Sequence, residues 1–315
     1  MPNFNFLKDS VVYIVTDPGT SNEARHKLDV LGVPAFSQTF LDKRIPQKTL
    51  HDSFNMFEKS NVKKANPADF EIQIPAMKED DFDFLISLLL DYDTEINEGV
   101  QVTIPNMKAF DLYITNNADV YKLEKCVLTN GAFVIERLGP LSLRLTGQAS
   151  KLTNGATLPT TNIQARTATT TYNAVKHVSI SIDGVVLQNA ISVGVELQNE
   201  IEWTDNRTVQ DSIAVTNSTN TQYPSSYTLK KRSLAGSISE YLTSDNSTNA
   251  HTWKSDVPLI IIAGSDAANN FKFDINKVSF TNRIRVGDLF VMNYDWRMSY
   301  TPASLSGIIT HNTTL

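Results

Sequence analysis

A single cysteine, Cys126, in 315 residues excludes an internal disulfide, so no framework of cross-links carries this fold. It lies inside an alternating run of apolar and polar residues, which reads it as a small buried hydrophobe and not as a reactive thiol. Histidine is scarce as well. His26, His51, His177, His251 and His311 are scattered, no two at metal-ligand spacing, and that removes support for a structural zinc or a metallohydrolase. Long apolar runs are missing: the longest surrounds Leu259 to Ala263 and is far too short to span a bilayer. Met1 to Asp9 shows neither a charged leader nor a continuous apolar core, so no secretory signal and no membrane partner are expected. The sequons at Asn206, Asn217, Asn246 and Asn312 then carry no meaning, and a soluble cytoplasmic product is expected.

Positive charge is also in deficit. Lys and Arg number 28 against 34 Asp and Glu, giving a net charge of −6 and a pI near 5.4. Such a surface does not hold nucleic acid by neutralising phosphates; it lets DNA pass without adhering. There is no G-x-S-x-G elbow, no phosphate-binding G-x-x-x-x-G-K-[ST] loop and no G-x-G-x-x-G after a strand. The chain is therefore expected to be no enzyme and to carry no cofactor, although a triad can assemble from distant residues. The acidic group Asp91 to Glu95 has the carboxylates of a calcium loop, but Ile96 stands where the sharp turn needs glycine, so it reads as a solvated loop.

What the sequence does contain is a repeat. Phe273 to Asn282 restates Tyr121 to Asn130, with Lys125/Lys277, Thr129/Thr281 and Asn130/Asn282 identical at a constant offset, 277 − 125 = 152. Upstream, Thr49 to Phe54 is echoed by Thr208 to Ile213 at 208 − 49 = 159. Downstream, each copy leads to an alternating run, Leu141, Leu143 and Leu145 in one and Trp296, Met298 and Tyr300 in the other, at 296 − 141 = 155. These six are the candidate core of the repeated unit. The chain is expected to divide into residues 1–158 and 159–315.

Most of the remaining pattern is of strands. Val11 to Val15 precedes a turn at Asp17-Pro18-Gly19, while residues 20–35 could hold a helical turn around Glu23 to Leu31. Phe70, Ile72 and Ile74 alternate with polar residues. One helix follows: Glu79, Asp80 and Asp81 favour the positive end of its dipole, and Phe82, Leu85, Leu88 and Leu89 recur at helical spacing. Val100 to Pro105 begins the strands leading to the repeat, and residues 146–173 read as an exposed linker. In the second half, Val178, Ile180 and Ile182 lead to Asp183-Gly184, a pair suited to a tight hairpin turn. From Ile191 to Thr204 the odd positions are mainly apolar, while Glu196, Glu200 and Glu202 lie on the other face. Lys230-Lys231-Arg232 reads as a solvated edge or a subunit contact, and the strand from Leu289 to Tyr300 has an aromatic face suited to a sheet core.

The order of the hairpin Ile180 to Leu187, then Arg232 to Leu242, then Lys277 to Asn282, then a closing aromatic strand resembles the tail tube proteins of tailed bacteriophages, in particular the larger ones with two copies of the tube fold. The likeness is fullest over residues 175–305. It implies a mainly β chain of two related tail-tube-like β-sandwich or barrel domains, each with a short flanking helix. It also implies a structural virion protein, made in the host bacterial cytoplasm, that polymerises as stacked rings into a conduit for genome delivery. The implied partners are further copies of itself, three chains making a pseudo-hexameric ring, with a tape-measure protein, a tail terminator, baseplate or tip proteins, in some tails a sheath, and DNA in transit. Under that resemblance Glu196, Glu200 and Glu202 are candidates for the lumen, since a negative wall repels passing DNA. Residues 146–173 and 205–226 would reach neighbouring subunits or rings. The rival readings are a non-enzymatic fibre, baseplate or adhesin-like binding module, and a hydrolase with a scattered triad.

Overall fold

The computed structural model describes residues 10–44, 61–75, 85–89, 92–93, 106–116, 119–135, 139, 141–160, 162–164, 175–204, 221–244, 246, 255–266, 270–299 and 308–312. The first half contributes β1 (Val11–Thr16), β2 (Ala24–Leu28), β3 (Ala35–Ser37), β4 (Phe40–Arg44), β5 (Asn61–Ala65), β6 (Ala68–Pro75), helix α1 (85–89), β7 (Tyr92–Asp93), β8 (Asn106–Met107), β9 (Phe110–Thr115), β10 (Val120–Ile135), β11 (Ser142–Ala149) and β12 (Lys151–Asn154). The second contributes β13 (His177–Ile182), β14 (Val185–Val186), β15 (Ala190–Thr204), β16 (Thr221–Gln222), β17 (Ser226–Tyr241), β18 (Val257–Gly264), β19 (Asn270–Val286), β20 (Phe290–Met298) and β21 (Ile309–Asn312). The chain is mainly β, as its alternation dictates.

One sheet crosses the molecule in the order β14-β13-β18-β19-β20-β17-β15-β10-β11-β6-β3. A second layer, β2-β1-β9-β10-β12, shares β10 with it. The strand changes layer at a bulge between Leu123 and Cys126, where Lys125 takes a positive φ of 55°. Its first part pairs with β9 and β12, its last part with β11 and β15. Phe70 of β6 meets Phe110 of β9 edge-on, centroids 6.1 Å apart, so the two layers pack face to face.

The ladder of β18 on β19 follows the same register. Leu112 faces Leu123 and Phe110 faces Cys126; Leu259 faces Ile275 and Val257 faces Val278, with the bulge at the same place in each. The residues of β10 and β19 are again 275 − 123 = 152 apart. On the other side the spacing differs from the 155 read in the alternating runs. Leu128 faces Gly147 and Phe280 faces Trp296, so the closing strands stand 296 − 147 = 149 apart.

Several local expectations hold. Asp183 and Gly184 both have positive φ, 53° and 79°, and close the two-residue hairpin of β13 and β14. Leu85, Leu88 and Leu89 of α1 are buried, and Leu89 lies so close over Gly131 that a side chain there would collide with it. Others do not hold. Residues around Glu23 to Leu31 form no helical turn; β2 pairs with β1 from Ala24 to Leu28, and that ladder overrides an ambiguous local preference. The linker read over 146–173 begins later, because Thr146 to Ala149 completes β11 and β12 pairs with Tyr121 to Glu124. Backbone pairing supplies there what an apolar period does not. The described residues of the second half are strands and turns, and residues 165–174, 205–220, 247–254 and 300–307, where a flanking helix would have room, lie outside them. The larger core cluster spans both halves, joined where Phe133 meets Phe273 edge-on at 4.8 Å, and a smaller one gathers Met107, Val127 and Tyr227. The echo of Thr49 to Phe54 in Thr208 to Ile213, the strand at Val100 to Pro105, the first turn of the expected helix and Tyr300 lie outside the described residues.

Candidate functional site

In a strand, facing residues of neighbouring strands share a side of the sheet. One such row runs Gln73, Arg144, Ala132, Glu196, Ala235, Arg297 and Ser279, across seven strands from β6 to β19. The row beside it runs Glu71, Thr146, Asn130, Gln198 and Ser233. Residues of the opposite face, such as Ile72, Leu145, Val195, Leu197, Ile238 and Tyr294, are buried. From β6 to β19 the large sheet therefore has one packed side and one polar side, whereas on β18 the outward face carries Ile260 and Ile262.

The polar side is held by hydrogen bonds across strands. Glu196 is half-buried and accepts from Asn130 Nδ2 and, at 3.0 Å, from Gln198 Nε2. Glu200 and Glu202 are exposed; Glu202 pairs with Lys230 at 2.5 Å, and Glu200 faces Lys231. Arg144 pairs with Glu71 at 2.7 Å, Arg283 with Asp295 at 3.4 Å, and Ser239 donates to Asn293 at 2.6 Å. Acidic side chains on this face alternate with cations, so its charge is interleaved. Two shallow depressions, about 430 and 470 Å³, mark it on either side of Gln148. No group of three or more His, Cys, Asp or Glu that could hold a metal occurs among the described residues. What this surface offers is an extended wetted wall.

A match to the family model described as the Bacteriophage Baseplate Tube Protein Family extends over residues 4–311. The chain belongs to that family. It is a structural component of the phage tail or baseplate, and hence of the virion. No curated protein matches it.

In this baseplate tube family member the candidate core residues take different places. Leu141, Leu143, Leu145 and Trp296 are buried, and Met298 is partly buried against the same core. The aromatic face of β20 is core only from Met292 inward; Phe290 at its start is 56% exposed. Lys230 and Lys231 are exposed, but Arg232 is not: it is 4% exposed and points inward. Its Nε donates to Asn199 Oδ1 at 2.7 Å and its Nη2 to the carbonyl of Leu89, in α1, at 3.2 Å. Asn199 Nδ2 donates to the same carbonyl at 3.2 Å and to that of Leu128 at 3.1 Å. The pair thus brings two side-chain donors to one carbonyl of α1. Its signal in the sequence is period: Asn199 interrupts an apolar stripe at an odd position, and Arg232 is in phase with Leu234 and Ile238.

Titratable groups inside the wall are perturbed, Cys126, Lys122 and Tyr294 among them. Burial pushes the Cys126 thiol well up, which agrees with an inert side chain. Burial pushes the Lys122 ammonium down, but the Asp111 carboxylate at 3.0 Å outweighs it and holds the amine above the ordinary lysine range. The Tyr294 phenol is raised by burial and by Glu240, whose Oε1 accepts its proton at 2.6 Å.

Proposed function

We propose that this chain is a tail tube subunit that closes into rings and stacks them into the conduit for DNA. The observation that carries this is the sheet itself, dry on one side and polar on the other, with β14 and β3 as its edges among the described residues. An open edge exposes unpaired backbone groups, and closing a ring of copies removes it. The polar face, with Glu196, Glu200 and Glu202, lines the lumen in this reading. Interleaved charge and net acidity leave no basic track for phosphates to settle on. The matched ladders of β9 on β10 and β18 on β19 support two copies of one unit, residues 1–158 and 159–315, so that three chains make a ring of six. The tape-measure, terminator, baseplate or tip proteins, and in some tails a sheath, are its neighbours in the particle. Electron microscopy of the concentrated protein tests the reading: hollow rings or tubes are expected, and monomers under every condition would overturn it.

A second reading follows from the family's description, which names the baseplate. In it the chain forms only the short tube at the tail tip. Gold-labelled antibody against the chain distinguishes them, decorating the whole broken-open tail in the first case and one end in the second.

A further inference from the structure

We propose that Asn154-Gly155 is a modification site, where the asparagine converts itself to aspartate and isoaspartate. The dipeptide ends β12 in an exposed turn, with Gly155 at a positive φ of 76° and open space where a side chain would stand. Gly155 N lies 2.7 Å from Asn154 Oδ1, so the attacking nitrogen and the carboxamide carbon are already neighbours. What restrains the nitrogen is that its N–H donates both to Asn154 Oδ1 and to Val120 O, the latter at 3.0 Å, at a strand end, where opening is cheap.

The same dipeptide occurs at Asn130-Gly131, and the structure protects it. Gly131 is paired on both sides, with Leu145 and Leu197, and packed under Leu89; Asn130 Nδ2 is held by Glu196. Attack there requires opening the centre of the sheet.

The step balances without a cofactor. Gly155 N gives its proton to hydroxide and bonds to Asn154 Cγ; the Cγ–Nδ2 bond breaks, and ammonia leaves with a proton from water. Water then opens the cyclic imide at either carbonyl, giving aspartate or isoaspartate. Each event makes the chain one charge more acidic, from −6 to −7. The isoaspartyl product also lengthens the main chain by one methylene where Asn154 pairs with Tyr121, so the end of β12 detaches.

Peptide mapping of the full folded chain, aged at mildly alkaline pH, tests this, with the denatured chain as control. Conversion at Asn154 is expected at least about tenfold faster than at Asn130 when folded, and at comparable rates when denatured, since each tenfold reflects about 1.4 kcal/mol of opening. An acidic variant should accumulate in isoelectric focusing and be absent from Asn154→Ser. Folded chain that stays intact at Asn154 while the denatured chain converts would overturn the proposal, as would conversion of Asn130 first.

Discussion

The indole of Trp296 packs directly on the α-carbon of Gly236: a methyl group there would stand 2.7 Å from Cζ2 of the ring and 2.0 Å from the carbonyl oxygen of Gly194. In the first half the sizes are reversed, with Gly147 on β11 facing Phe70 on β6, whose ring would meet a methyl group at 2.2 Å. Each large ring thus occupies space that its facing glycine leaves. Gly236→Ala and Gly147→Ala are each expected to destabilise the chain by about 3 kcal/mol or more, because the clash involves backbone as well as a ring. Denaturant midpoints measure this, and a loss below about 1 kcal/mol would contradict the packing.

Arg232 and Asn199 together hold α1 to the sheet through the Leu89 carbonyl. Removing Asn199 takes the acceptor from the buried Arg232 Nε, removing Arg232 takes the donor from Asn199 Oδ1, and either leaves the Leu89 carbonyl with one donor fewer. Arg232→Met and Asn199→Leu are each expected to cost about 3 kcal/mol, and the double variant less than their sum, because the two share one acceptor. A double-mutant cycle reads this coupling, and strict additivity would show the two residues to be independent.

Much of this fold is legible in the chain because strands write themselves as alternation. Phe70, Ile72 and Ile74, or Val193, Val195 and Leu197, need no more than period two to be placed. The hairpin at Asp183-Gly184 is equally plain, since positive φ at both positions leaves few alternatives. Register is not legible. The one-residue bulge at Thr129 moves the facing residue of Leu128 to Gly147, and no local preference records it. Nor does a basic triplet reveal which member turns inward; Arg232 does so because α1 presents it with a carbonyl to satisfy. The acidic face was visible at Glu196, Glu200 and Glu202, but the cations that interleave with it come from other strands, and only pairing brings them there.

Alkaline pH should expose the Tyr294–Glu240 pair. The folded phenol titrates above its unfolded value, so its contribution is complete below about pH 10 and is lost as pH rises through the folded value. Lys122 beside Asp111 behaves alike, its amine also being raised. Stability from both is therefore constant through neutral pH and falls only in the alkaline limb. Tyr294→Phe should flatten that limb in a series of denaturant midpoints; an unchanged limb would assign the loss to other groups.

Cys126 is buried, and its raised thiol holds little thiolate at neutral pH. Thiol reagents are expected to label it only as fast as the chain opens, and completely in denaturant. Rapid labelling of the folded chain would place β10 nearer the surface than its bulge and ladders do.

The exposed pair Glu202–Lys230 separates a stability role from a functional one. Both side chains are more than half exposed, so Glu202→Gln should change stability by less than about 1 kcal/mol. If the polar face lines the lumen, reversing Glu196, Glu200 and Glu202 to lysine adds six units of positive charge per chain, repeated at every ring, where DNA must slide. Tubes should still assemble, since no core residue is touched, while genome delivery slows or stops and is partly restored by salt, which screens the new attraction. Delivery at the normal rate from tubes that carry all three substitutions would place these residues away from the channel.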